Sequence, residues 1–227
     1  NVYDMVGRFK VKLMESFRTN FITAEDGTQH PICDRETFEE YYLDGKAILD
    51  WIKARKNDIF PASGMILVGT EIPLNVKVTE GVTFVGFIDM VVRNRKTKDY
   101  TLYDFKTSKK GWYFQKKDYK KTDQLLLYKK FFSDSASVEL NAISVEFMIL
   151  KRKLGQSEFD KRVSSFEPSN ALPSINKTMK RFHEFIDNFD DEGNVKDMAA
   201  LTPSPSESSC RFCTFRNKKN LCPVGID

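Results

Sequence analysis

Gly86-Phe87-Ile88-Asp89 is followed, fifteen residues after its Asp, by Asp104-Phe105-Lys106. Asp89 sits within an apolar run, where a carboxylate without a partner is costly to take out of water, so a partner is required. Asp104 and Lys106 are two apart in a β-rich run and project from one face of a strand. A hairpin between the two runs brings Asp89 to them. Two carboxylates and the main-chain carbonyl of Phe105 form a set of hard oxygen ligands of the kind Mg²⁺ and Mn²⁺ prefer. Beside such an ion, Lys106 would orient or help deprotonate a water and offset charge developing on a phosphoryl group. The plain alternative is an ordinary same-face salt bridge between Asp104 and Lys106. Farther along, Gln124 and Tyr128 stand four apart and share one helical face.

The cysteines point to a second chemistry. Cys210, Cys213 and Cys222 lie in the last eighteen residues, and Cys33 is the only other. A disulfide framework would spread its cysteines through a smaller chain that lacks a core of its own. C-x-x-C spacing with a third thiol nearby suits one shared metal, although three ligands are one short of four. Cys33 is the visible candidate for the fourth, zinc is one possible metal, and a reduced, metal-free trio is the remaining alternative.

The elements that must position these residues follow from periodicity. Val2, Met5, Val6, Phe9, Leu13, Phe17 and Phe21 recur at helical spacing, as do Phe38, Tyr42, Ile48, Trp51 and Ile52 after Asp34, with a polar, turn-rich loop over 23–31 between them. Runs over 65–72, 83–93 and 100–107 read as a meander of strands, 115–132 as a helix, 142–151 as a strand, 159–166 as an edge strand and 168–189 as a long helix. A Pro/Ser-rich connection over 194–209 leads to the cysteine tail. The order predicts a mixed α/β domain, divided into an N-terminal helical region (1–60), a core (61–192) and a cysteine-rich tail (193–227).

Charge and composition narrow the partner. The 227 residues are 41% hydrophobic and carry a formal net charge of +4, enough apolar content for a sizeable core and too mild a charge to prove a polyanionic partner. Location matters more: residues 109–130 hold eight Lys and two Asp, a local +6, interleaved with Trp112, Tyr113, Phe114 and Tyr119. That pattern suits phosphate neutralisation with base stacking on an unpaired strand, or else a solvated helix face with its aromatics in the core. With neither a membrane span nor a secretion signal in the sequence, a soluble protein of the cytoplasm or another reducing compartment is expected.

Gly86 to Asp89, Asp104-Phe105-Lys106-Thr107 and Gln124-x-x-x-Tyr128 resemble the motifs of the PD-(D/E)XK nucleases, in particular their RecB-like exonuclease branch. The resemblance covers about residues 65 to 222 and includes the tail, where Leu201-Thr-Pro-Ser-Pro and Cys213-Thr-Phe-Arg are similar to that branch's C-terminus. It implies a restriction-endonuclease-like core with a central mixed β-sheet flanked by helices. It also implies metal binding by Asp89 and Asp104, water activation by Lys106, and positioning of the DNA strand by Gln124 and Tyr128, with a weak supporting role for Glu71. For the tail it implies a four-iron four-sulfur cluster on Cys210, Cys213 and Cys222, its fourth cysteine lying upstream of Asn1 or supplied by Cys33. The branch carries a metal-binding His on a helix before the strands, and the two histidines here, His30 in the expected loop and His183 on the late helix, read as ordinary polar residues.

These expectations converge on a Mg²⁺- or Mn²⁺-dependent DNA nuclease, an exonuclease acting on free ends or single strands in repair, recombination or replication, working with a helicase or recombination partner the sequence does not identify. Its rivals are a non-catalytic DNA-binding or assembly module of the same fold and an RNA endonuclease.

Overall fold

The computed structural model describes residues 4–24, 26–59, 64–112, 119–155, 160–197, 205–211, 213–216, 218–220 and 222–224. The chain divides into two compact units, Asn1–Val76 with Phe84–Met179, and Lys77–Thr83 with Lys180–Asp227. No helix among the described residues is long and apolar enough to cross a membrane.

In the first unit, α1 (Met5–Thr19) begins where the Asp4 carboxylate accepts the Gly7 N–H at 2.8 Å. A small antiparallel hairpin of β1 (Phe21–Thr23) and β2 (Gln29–Pro31) follows, with Ile22 opposite His30. The stretch expected as a loop therefore has strand at both ends, because the turn is tied by the Asp26 carboxylate to the Thr28 N–H and hydroxyl at 2.9 and 2.6 Å. Next comes α2 (Arg35–Ala54), capped by Asp34, whose carboxylate takes the Thr37 N–H at 2.7 Å. The short α3 (Lys56–Ile59) completes the N-terminal helices.

Five strands form the central sheet in the order β3-β4-β5-β6-β7: β3 (Met65–Lys77), β4 (Thr83–Asn94), β5 (Tyr100–Ser108), β6 (Ile143–Lys151) and β7 (Val163–Phe166). β4 and β5 are antiparallel, joined by a turn in which the Asn94 side chain accepts the Lys96 N–H at 2.8 Å and Lys98 takes a positive φ of 70°. β5 and β6 are parallel, so the chain must cross over between them, and α4 (Tyr119–Ala136) makes that crossover. Residues 113–118, where the helix was expected to start, lie outside the described residues, as does 159 at the expected start of β7. α5 (Leu172–Ile186) closes the order, with its Thr178 hydroxyl donating to Asp123 of α4 at 2.8 Å.

The two faces of the sheet are packed differently. On one, Val92, Tyr103, Met148 and Val163 form a cluster covered by Trp51 and Ile52 of α2 and Ile59 of α3. On the other, Phe147 is fully buried, stacked on Phe166 at 6.2 Å and tilted against Trp112 at 5.0 Å. Trp112 is thus spent in packing, and Lys121 lies 5.5 Å over its ring. Tyr113 and Phe114 lie outside the described residues, and of Tyr119 only the backbone is described.

In the second unit, Asp190 accepts the N–H of Glu192 and of Asn194 at 3.1 and 2.7 Å, closing a turn that pairs Phe189 with Val195. The short α6 (Glu207–Cys210) starts with Ser206 and Ser209 capping each other. Residues 198–204 of the Pro/Ser connection lie outside the described residues.

Phe147→Ala removes the ring that the aromatic contacts with Trp112 and Phe166 and both flanking strands are built around. Equilibrium urea unfolding should show a loss of about 3–5 kcal/mol.

Candidate active site

β5 is the middle strand of five, with β4 on one side and β6 on the other, and its central residues Leu102, Tyr103 and Asp104 are all buried. Asp104 is 1% exposed, directly beside Phe147 in the parallel register. Alternation puts Tyr103 and Phe105 on the Trp51 face and Asp104 and Lys106 on the face that α4 covers. The same-face placement expected from the two-residue spacing is therefore what the strand produces.

β4 brings Asp89. The last paired residues of the hairpin are Met90 and Tyr103, and one step beyond them Asp89 comes opposite Asp104. There the side chain takes over from the backbone ladder, and Asp89 Oδ2 accepts the Phe105 N–H at 2.6 Å. This is the partner that its apolar setting demanded. The strand also changes facing here. Phe84 and Gly86 lie against Tyr128 of α4, yet Met90, also even-numbered, packs on the Trp51 face. The alternation slips by one residue between Gly86 and Met90, as a bulge produces.

Lys106 Nζ lies 2.7 Å from Asp104 Oδ2 and donates to Gln124 Oε1 at 3.1 Å. The approach to Asp104 has the distance of an ion pair without the alignment of a hydrogen bond, so Oδ2 is buried with no hydrogen-bond partner. Burial pushes the Asp104 carboxyl above the usual carboxylate range; the Lys106 ammonium draws it down in part, and the neighbouring Asp89 adds to the upward push. Gln124 in turn donates through Nε2 to the Tyr128 hydroxyl at 2.9 Å. Tyr128 is 7% exposed. The structure thus brings Asp89, Asp104, Lys106, Gln124 and Tyr128 into one connected group, with both polar ends of Gln124 engaged inside the protein.

The remaining candidates lie elsewhere. Glu71 stands exposed on the edge strand β3, with a positive φ of 51°. His30 is exposed on β2, its Nε2 3.1 Å from the Thr28 hydroxyl, and His183 lies against the Phe182 ring on α5. Cys33 belongs to the first unit and Cys210, Cys213 and Cys222 to the second; all four are free thiols. Among the described residues no group of three His, Cys, Asp or Glu side chains converges as a metal site. Within the tail, the Phe215 N–H is directed to Cys213 Sγ at 3.4 Å.

Sequence reasoning passed over Asp44. It is buried on α2, paired with Lys153 at 3.0 Å and with Arg152 at 3.5 Å just beyond β6. Its signal was an acidic residue on the same helical face as Tyr41 and Ile48.

In comparison with known proteins, the family model of the PD-(D/E)XK nuclease superfamily matches residues 24–223, a span that includes the whole central sheet and all four cysteines. No curated protein matches the chain.

Because the folded protein holds the Asp104 pKa above its unfolded value, ionised Asp104 opposes folding when no cation is bound. Its favourable contribution is complete below the ordinary carboxylate range and is lost as pH rises through the raised value. In EDTA at neutral pH, Asp104→Asn should melt at a higher temperature than the wild type, with the two curves converging in acid. A wild type that melts higher at neutral pH would mean that Lys106 outweighs the cost of burial.

Proposed function

This chain belongs to the PD-(D/E)XK nuclease superfamily, and from that premise we propose that it is a divalent-metal-dependent DNA nuclease of the RecB-like type, acting on ends or single strands. The observation that carries the proposal is Asp104: a carboxylate on the central strand, 1% exposed, with a second carboxylate alongside and the Lys106 ammonium at 2.7 Å. One ammonium faces two carboxylates there, so the donor set keeps a net negative charge of the kind a divalent cation meets. Asp89, Asp104 and the Phe105 carbonyl would hold Mg²⁺ or Mn²⁺, whose preference for hard oxygen donors they match. Bound there, the ion would supply Lewis acidity toward a phosphoryl oxygen and a more acidic water.

The protein's own groups do the rest. The hydrogen bond from the Phe105 N–H holds the Asp89 carboxylate against β5, so that its second oxygen is presented from a fixed position. The Lys106 ammonium, with one N–H remaining beyond its two contacts, orients the attacking water and offsets charge on the non-bridging oxygens as the water oxygen bonds to phosphorus. The bridging P–O bond breaks, the leaving oxygen takes up a proton, and the water gives one up, leaving a phosphate monoester and a hydroxyl. DNA is favoured as the polymer by the superfamily and by the Lys-rich segment beside the site. Repair, recombination or replication, in a reducing compartment, is the setting this activity suits.

For the tail we propose a four-iron four-sulfur cluster on Cys210, Cys213 and Cys222, with zinc as the competing metal. The donor set fits: three free thiols lie in one unit, and one of them already accepts a backbone N–H. Thiolates without a cation repel one another, and their convergence is coupled to metal binding. Bound there by Cys210, Cys213 and Cys222, a cluster would supply a structural cross-link within the tail and no part of the hydrolysis.

Labelled single-stranded and duplex DNA should be cut with Mg²⁺ or Mn²⁺ and left intact in EDTA. Asp104→Ala and Lys106→Ala should each abolish cutting with circular dichroism unchanged, and undiminished cutting by both folded variants would sink the assignment. Protein purified without oxygen should be brown, contain iron and acid-labile sulfide, and lose both on Cys213→Ser. Stoichiometric zinc without sulfide would replace the cluster with a zinc site.

A further inference from the structure

Lys106 needs more than Asp104 to hold it. An ammonium is a donor only, so the amide end of Gln124 that faces it at 3.1 Å must be the oxygen. The other end of the same amide is then a donor and requires an acceptor. The Tyr128 hydroxyl, 2.9 Å from Nε2, provides it. A flipped Gln124 would set its NH₂ against the ammonium, so Lys106 fixes which way the amide points, and the Tyr128 hydroxyl, able to donate or accept, takes the Nε2–H on the other side.

Tyr128 is itself placed by packing. Its ring meets Phe84 edge-on at 6.3 Å and lies over Gly86 so closely that a Cβ there would come within 2.8 Å of Cε1. The glycine three residues before Asp89 is therefore the space the tyrosine ring occupies. A continuous line of contacts runs from Gly86 on β4 through Tyr128 and Gln124 on α4 to Lys106 and Asp104 on β5. Both Gln124 contacts, one at each end of the amide, are to groups inside the protein.

From these contacts we infer that Gln124 and Tyr128 are positioning residues for Lys106, and that Gly86 is a member of the same device through the room it leaves for Tyr128. The inference rests on the nuclease reading, which gives Lys106 its catalytic task. Gln124 shares the ammonium with Asp104 Oδ2, 2.7 Å away, and so fixes its position between β5 and α4. Without Gln124 the ammonium is left to Asp104, which is the partner a metal ion also needs.

The test compares Gln124→Met, Gln124→Glu, Tyr128→Phe and Gly86→Ala. In single-turnover cleavage with Mg²⁺ at saturating DNA, Gln124→Met should slow the chemical step by about 10- to 100-fold, in the range that supporting hydrogen-bond partners contribute. Tyr128→Phe and Gly86→Ala should slow it less, in the same direction. DNA affinity, measured in EDTA, should stay within about twofold for all three. Gln124→Glu keeps an acceptor for Lys106 and should recover most of the rate. A strand contact gives the opposite order, because a carboxylate facing phosphates would make Gln124→Glu weaker in DNA binding than Gln124→Met.

A second measurement needs no turnover. Acylation of Lys106 by an amine reagent in metal-free protein, mapped by mass spectrometry, should rise several-fold in Gln124→Met and not in Gln124→Glu. Labelling that is unchanged in Gln124→Met, or DNA affinity that falls while the rate holds, overturns the inference. A wild type that cuts no DNA with any divalent metal overturns the nuclease reading alone, since the labelling still decides whether Gln124 holds Lys106.

Discussion

A carboxylate on the central strand of a sheet is the constraint on which the rest of this structure depends. Asp104 is enclosed by β4 and β6 at its sides and by helices above the faces, so water cannot solvate it. One feature meets part of that cost and a second adds to it. Lys106 brings a positive charge from the same strand face, and the Phe105 N–H that would otherwise join the β4 ladder is given to Asp89, which places a second carboxylate beside the first. That second charge raises the burden on Asp104. An arrangement selected for stability alone would not set two carboxylates side by side there. The combination is understandable where a cation completes it.

The faces of the sheet divide the work. The Trp51 side is built of Val92, Tyr103, Met148 and Val163 and asks nothing of its side chains beyond shape and burial. The α4 side carries Asp104, Lys106, Gln124 and Tyr128 within a surround that includes Phe147 and Leu125. One strand could not serve both tasks with unbroken alternation. The slip between Gly86 and Met90 lets β4 put Gly86 under Tyr128, bring Asp89 to β5 and still return Met90 and Val92 to the opposite core.

Much of this was legible in the sequence where a short-range rule applied. Two-residue spacing placed Asp104 and Lys106 together, four-residue spacing paired Gln124 with Tyr128, and the cost of a buried carboxylate announced that Asp89 had a partner. The direction of the Gln124 amide was not legible, because it depends on a donor on another element. Nor was the space over Gly86, which exists only once α4 crosses the sheet. The β1–β2 hairpin was missed because its strands are three residues each, too short for alternation to show. Asp44 looked like one acidic residue among many on α2 until Arg152 and Lys153 arrived from the far end of β6.

The local charge of +6 across 109–130 overstates what a DNA strand would meet. Lys129 is 4% exposed and donates to the carbonyl and side chain of Asn170 at 3.0 and 2.6 Å, and burial draws its pKa downward. Lys130 pairs with Asp134 at 2.7 Å, and Lys121 lies over Trp112. Those three serve the helix and its packing first. Lys109 and Lys110 differ: both are exposed, and they follow β5 directly, three and four residues after the lysine of the site. Their place at the end of the site's own strand sets them apart from the lysines committed to α4, a distinction that a charge count along the chain could not have made.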